Sequence, residues 1–190
     1  MPSKHASVRG FSLVELLVTL AISTIIVGGV LIRFNAFDSV VVLKSIAYEV
    51  ALTIREAQVF AVSATGNQAM TSQFDQPYGV HFDLANPQQY ILYENAAGTL
   101  EYGSGDTIIE TFTMNQKYEI NDICVTPASG GESCTATTLS VAFQRPEFRA
   151  YIFPGTDPVQ SRVTFTMVDD PSTTFSVVVG VTGNITVESP

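Results

Sequence analysis

The residues that ask most plainly for a specific chemistry are Arg9-Gly10-Phe11-Ser12-Leu13-Val14-Glu15-Leu16-Leu17. A short leader with two bases, Lys4 and Arg9, and no acid ends in Gly10. A large apolar residue, Phe11, follows at once. Glu15 comes four residues later and is the single charge in FSLVELLVTLAISTIIVGGVLI, the 22 residues from Phe11 to Ile32. As a helix this segment spans about 33 Å, one hydrocarbon core. An acid inside such a span costs about 2.5–3.5 kcal/mol on insertion scales, so it needs a partner or a task. A plain signal anchor supplies neither. A secretory signal peptide would place small residues in an A-x-A-like pattern after the apolar core. Leu31-Ile32-Arg33-Phe34-Asn35-Ala36 fits that pattern poorly. The basic leader predicts a cytoplasmic N-terminus and an outward C-terminal part, with Arg33 on the far flank opposing by one charge.

The other chemistry-bearing residues are sparse. Cys124 and Cys134 stand ten apart around Pro127, Gly130 and Gly131. On the outward side of a membrane they read as a disulfide closing a hairpin or loop; two reduced thiols are the alternative. His81 is the lone histidine after the leader. A single strand histidine is more often a surface or satisfied residue than a catalyst or ligand. The sequence carries no Ser-His-Asp arrangement, HExxH, Walker loop or CxxC. We therefore expect no enzyme, no cofactor and no metal. Asn184-Ile185-Thr186 is formally a glycosylation sequon, a triplet common by chance.

The elements that must carry these residues follow from composition and periodicity. The 190 residues hold 46% hydrophobic and 14% charged residues and a net charge of −9, with mean hydropathy +0.25 and pI near 4.5. That excludes global disorder and argues against broad nucleic-acid binding, which needs a basic face. The length suits one domain with an appended element. Beyond the apolar span, Ile46, Val50, Ile54, Ala57 and Ala61 form one helical stripe, with Glu49, Arg55, Glu56 and Gln58 largely off it. Helix is expected to about Ala64, with Gly66-Asn67 as its stop and Gly28-Gly29 and Asn35–Ser39 as weak points. Strands are expected at Tyr78–Asp83, Gln89–Glu94, Thr107–Met114, Tyr118–Val125, Leu139–Gln144, Arg162–Val168 and Phe175–Val187, the last as two around Thr182-Gly183-Asn184. Strands after one long helix imply an α+β fold with an antiparallel β domain. The expected segments are a leader (1–10), a transmembrane and assembly helix (11–32), its amphipathic continuation (33–65) and a β-rich extracytoplasmic domain (66–190).

At Arg9–Leu17 the chain closely resembles the type IV pilin superfamily, as a prepilin with a class III leader. The resemblance implies that prepilin peptidase cuts between Gly10 and Phe11 and that the new Phe11 amine is N-methylated. It also implies that Glu15 pairs with the N-terminal amine of a neighbouring subunit. The physics agrees, since a buried carboxylate is tolerable beside an ammonium and cleavage creates one. Ile54-Arg55-Glu56-Ala57-Gln58 is similar to the A-R-x-x-A-type segment of GspH/FimT minor pseudopilins, with Ile54 in place of the expected alanine. Val141-Ala142-Phe143 and Val181–Val187 are similar to the end of that group. No proline stands near the end of the membrane segment, which favours a minor or pseudopilin over a major pilin.

The resemblance implies a non-enzymatic subunit of a type II secretion pseudopilus or type IV pilus, held in the bacterial inner membrane with its β domain in the periplasm. Its implied partners are sibling subunits, prepilin peptidase, and a secreted substrate or the secretin. Asp169-Asp170 before Pro171 could be a fragment of a calcium loop, as in some pseudopilins, but an ordinary acidic turn is the stronger reading. A DNA-uptake minor pilin would need exposed bases; the chain after the leader has seven against 18 acids. An anchored periplasmic enzyme would need a catalytic constellation.

Overall fold

The computed structural model describes residues 11–63, 76–96 and 98–189. The leader, including Gly10, and the expected helix stop at Gly66-Asn67 lie outside them. The chain divides after Val40 into two compact units.

The first unit is helical from Leu13, and the helix, α1, has the bounds Leu13–Val62. It begins there because Ser12 caps it. The Val14 N–H donates to Ser12 Oγ at 3.3 Å, and the Leu16 N–H donates to the Ser12 carbonyl at 3.1 Å. A serine at this position satisfies amides that have no partner inside the helix. Leu13–Val30 has mean hydropathy 2.3, and none of it is buried. Leu16, Leu17, Leu20, Ile22, Ile25 and Ile26, spread around the helix, all stand exposed. A helix apolar all round is covered by lipid or by other chains.

Among the described residues, the second unit contains the rest of α1, from Val41, and nine strands, all paired antiparallel. The strands are β1 (Tyr78–Asp83), β2 (Gln89–Glu94), β3 (Thr107–Thr113), β4 (Tyr118–Pro127), β5 (Thr138–Phe143), β6 (Ala150–Phe153), β7 (Pro158–Met167), β8 (Asp170–Gly180) and β9 (Ile185–Glu188). One sheet has the order β3-β2-β1-β5-β6 and the other β4-β7-β8-β9. The chain thus leaves the first sheet after β3, lays β4 against β7, and returns with β5 beside β1. Local chemistry starts the first hairpin. The Asp83 carboxylate accepts from the Ala85 N–H at 2.8 Å and the Asn86 side-chain amide at 2.9 Å, an Asx-type turn. Among the described residues, backbone bonds that stitch the sheets together include the Ala150 N–H to the Val181 carbonyl, 2.9 Å, and the Ile120 N–H to the Pro87 carbonyl, 2.7 Å.

The core draws on α1 and on both sheets. Leu43, Val50, Ile54 and Ala57 are buried, as are Val80, Phe82, Leu92, Tyr93, Val141, Phe143, Val163 and Phe165. The whole expected stripe, Ile46, Val50, Ile54, Ala57 and Ala61, faces inward. Removing one such side chain, as in Ile54→Ala, costs about 2–5 kcal/mol. The α+β antiparallel fold is the one expected from the sequence. Several details differ: β7 starts at Pro158, four residues before the expected Arg162, and β4 runs on to Pro127, beyond the expected Val125. Gln58, placed largely off the apolar stripe, is 5% exposed, because carbonyls from two distant loops receive its amide. β6 was not expected. β8 begins at Asp170 and contains Pro171, five residues before the expected Phe175.

Candidate functional site

Ser12, Leu13, Val14 and Glu15 build the first turn of α1, and Glu15 is its one acid. A carboxylate in the first turn is favoured by the partial positive charge at a helix N-terminus. The spacing Ser12-x-x-Glu15 is also that of a capping box, a signal the sequence reading passed over. Phe11 and Glu15 are both exposed; four residues apart, they lie on one side of the helix start. Gly10, the other half of the expected cleavage site, lies outside the described residues.

A second cluster forms at the far end of α1, within the second unit. Arg55 donates from Nη1 to Gln58 Oε1 at 2.6 Å. Gln58 Nε2 donates in turn to the Phe148 carbonyl at 3.2 Å and the Gly183 carbonyl at 3.3 Å. Gly183 has φ +83°, and a Cβ there would overlap the Phe148 carbonyl oxygen and stand 2.7 Å from Gln58 Nε2. Arg145 donates to the carbonyl of Val62, the last residue of α1, from Nε at 2.9 Å and Nη2 at 2.6 Å. It caps the helix electrostatically, in place of the basic residue that the last turn lacks. The fold therefore brings together two segments, 54–58 and 181–187, that are more than 120 residues apart in the chain. Arg145 lies 83 residues from its acceptor, and nothing local in the sequence announces it. An open groove of about 560 Å³ runs here past Arg55, Gln58, Phe148, Gly183 and Asn184.

Cys124 and Cys134 are joined as a disulfide. Val125 and Ser133 exchange two backbone hydrogen bonds, of 2.8 and 2.9 Å, beside it, so the bridge closes a hairpin. Asp122 brings a carboxylate oxygen within 4.8 Å of both sulfurs. With the sulfurs bonded to each other, no thiolate is left for a metal. Arg162 spans this corner, its Nε 3.1 Å from Glu132 and its Nη2 3.6 Å from Glu188.

His81 Nδ1 lies 2.9 Å from Ser140 Oγ, and its ring packs against Tyr102 at 4.5 Å. Ser140 also accepts from the Tyr102 N–H at 3.3 Å. Burial holds the imidazole pKa below its ordinary 6.5, with nearby Asp83 acting in the opposite direction. Ser140 is 2% exposed, too covered to attack an external substrate. Asp170 spends its carboxylate on the Ser172 N–H and hydroxyl, 3.2 and 2.5 Å, and the Thr173 hydroxyl, 3.1 Å. These bonds hold its pKa below the usual carboxylate range. The Asn184 side-chain oxygen accepts from the Thr182 hydroxyl at 2.7 Å in the β8–β9 turn.

Residues 6–31 match the family model described as the prokaryotic N-terminal methylation motif. That match indicates a type IV pilin-like prepilin. No curated protein and no solved structure matches the chain.

Proposed function

We propose that this prepilin-type chain is a non-enzymatic minor pilin or pseudopilin subunit, most like the GspH/FimT group, that serves a type II secretion pseudopilus or a type IV pilus. The observation that carries the reading is a coincidence of place. The methylation motif at 6–31 falls on Leu13–Val30, the one long apolar helical stretch among the described residues, and none of it is buried.

Prepilin peptidase cuts between Gly10 and Phe11, and the N-methylated Phe11 amine carries a positive charge. Residues 11–32 first hold the subunit in the inner membrane, with the β domain in the periplasm. On assembly the same surface is reburied against sibling helices. Exchanging lipid for apolar side chains changes little free energy, so packing and polar contacts decide register. The pair between Glu15 and a neighbour's Phe11 ammonium supplies such a contact. Outward on the second half of α1, Val41, Tyr48, Leu52 and Val59 stand exposed at spacings of seven, four and seven, with Leu52 at 70%. That second stripe, opposite the buried one, is itself a face available to other helices.

The test is the mass and N-terminal sequence of membrane-purified protein. We expect loss of residues 1–10 and an N-methylated Phe11, with Gly10→Val left uncut because bulk at that position obstructs the peptidase. Met1 retained in cells with active prepilin peptidase would overturn the reading.

A further inference from the structure

We propose that the outer edge of β3 receives an extended, lysine- or arginine-bearing segment of a partner protein as a sixth strand of its sheet. The four sheet edges are not alike. β6 and β9 have four residues each. β4 is covered where Val125 pairs with Ser133 under the disulfide hairpin. β3 is seven residues long, TIIETFT, with neither lysine nor proline to blunt it. Six of its seven residues are exposed, including Ile108 at 50% and Ile109 at 42%. Phe112 turns inward and stacks on Tyr90 at 4.8 Å, nearly parallel, which fixes the strand on β2.

The register identifies the backbone groups on offer. The Met114 N–H bonds the Gln88 carbonyl at 2.7 Å, and Thr113 lies opposite Gln89. Antiparallel pairs alternate, so Phe112 and Glu110 bond β2, while Thr111 and Thr113 direct N–H and C=O groups outward. A bulge at Ile109, between the Leu92–Glu110 and Tyr93–Ile108 pairs, ends that regular stretch. An added strand therefore pairs along Glu110–Thr113.

Charge selects the occupant. No lysine or arginine stands between Arg55 and Lys117 in the sequence. Glu94, Glu101 and Glu110 lie on β2, β3 and the loop joining them, and the ion pairs among the described residues both belong to Arg162. Two β3 edges brought together would set these carboxylates against each other, which disfavours a second copy. A cationic strand gains from both the ladder and the field. This inference goes beyond the assembly function and does not depend on processing at Phe11.

The test uses the full chain in dodecyl maltoside and the probe acetyl-Lys-Thr-Val-Lys-Val-Thr-Lys-amide. Controls are the same peptide with glutamate for lysine and the same peptide with alternate backbone N-methylation. We expect saturable binding of the lysine probe and slowed amide exchange over 107–113 but not over 185–188. We expect at least tenfold weaker binding by both controls and by Thr111→Pro, which removes an outward N–H and leaves the β2 ladder intact. Glu110→Lys keeps every backbone group and should weaken binding at least fivefold, so the outcome does not rest on the proline variant alone. Absence of protection at 107–113, or equal binding of the N-methylated probe, overturns the proposal. Self-association of the chain through β3 in place of peptide binding overturns it as well, in favour of a second copy.

Discussion

Gly130 and Gly183 share φ +83°, yet a methyl group meets different surroundings at each. At Gly130 nothing lies within 4 Å, whereas at Gly183 it would collide with the Phe148 carbonyl and crowd Gln58 Nε2. Gly130→Ala therefore isolates the backbone cost of a left-handed residue, about 1–2 kcal/mol. Gly183→Ala adds the displacement of Gln58 from two carbonyls. Each lost bond is worth about 1 kcal/mol net, and up to about 3 kcal/mol where a buried group is left without a partner. The expected total for Gly183→Ala is about 3–6 kcal/mol, at least 2 kcal/mol beyond Gly130→Ala. Urea unfolding of both variants in dodecyl maltoside, followed by near-ultraviolet circular dichroism with the disulfide intact, measures the difference. Equal destabilisation would refute the argument, because it would mean that the Gln58 clamp contributes nothing and φ alone sets the cost.

Glu15→Leu removes a charge from the apolar span, so export and cleavage should proceed as in wild type. Assembly should fail, since a neighbour's ammonium left buried and unpaired costs about 3–5 kcal/mol; crosslinking to sibling subunits that matches wild type would remove Glu15 from the interface. The folded state keeps the His81 pKa below 6.5, so the unfolded chain binds the extra proton first as pH falls. Stability from neutral His81 is present above about pH 6.5 and declines below it until the folded-state pKa is passed. His81→Gln should flatten the melting-temperature profile between about pH 7 and 5 relative to wild type, and parallel profiles would exclude a role for His81. The Cys124–Cys134 bridge closes a loop of about ten residues and should contribute roughly 2–3 kcal/mol by chain entropy; exported protein should resist alkylation until reduced, and free thiols in that material would refute the bridge.

Much of this architecture was legible where local rules decide it. β1 and β2 lie at their expected bounds because alternating apolar residues are punctuated by Asp83, Asn86 and Pro87. The helical stripe was readable because 3.6-residue periodicity records which face is buried. β6 was not, since its four residues sit between Pro146 and Pro154 and hold too short a pattern to register. Gln58 looked like a solvent residue because its acceptors are 90 and 125 residues away. The division into two sheets was hidden for the same reason. β4 follows β3 in sequence, but its partner β7 follows only after two strands of the other sheet. Of the candidate site, the order and spacing of Gly10, Phe11 and Glu15 stand in the local sequence, whereas Arg145 on Val62 depends wholly on long-range folding.

The Gln58 amide has a mechanical meaning. Its two acceptors belong to different sheets' connections: Phe148 lies between β5 and β6, and Gly183 between β8 and β9. Beside the buried face of the second half of α1, this one side chain ties the helix directly to connections of both sheets. The Arg145 latch on Val62 adds a parallel path from the end of the helix into the β5–β6 loop. A pull on this part of the helix is thereby passed to connections of both sheets rather than to one sheet alone.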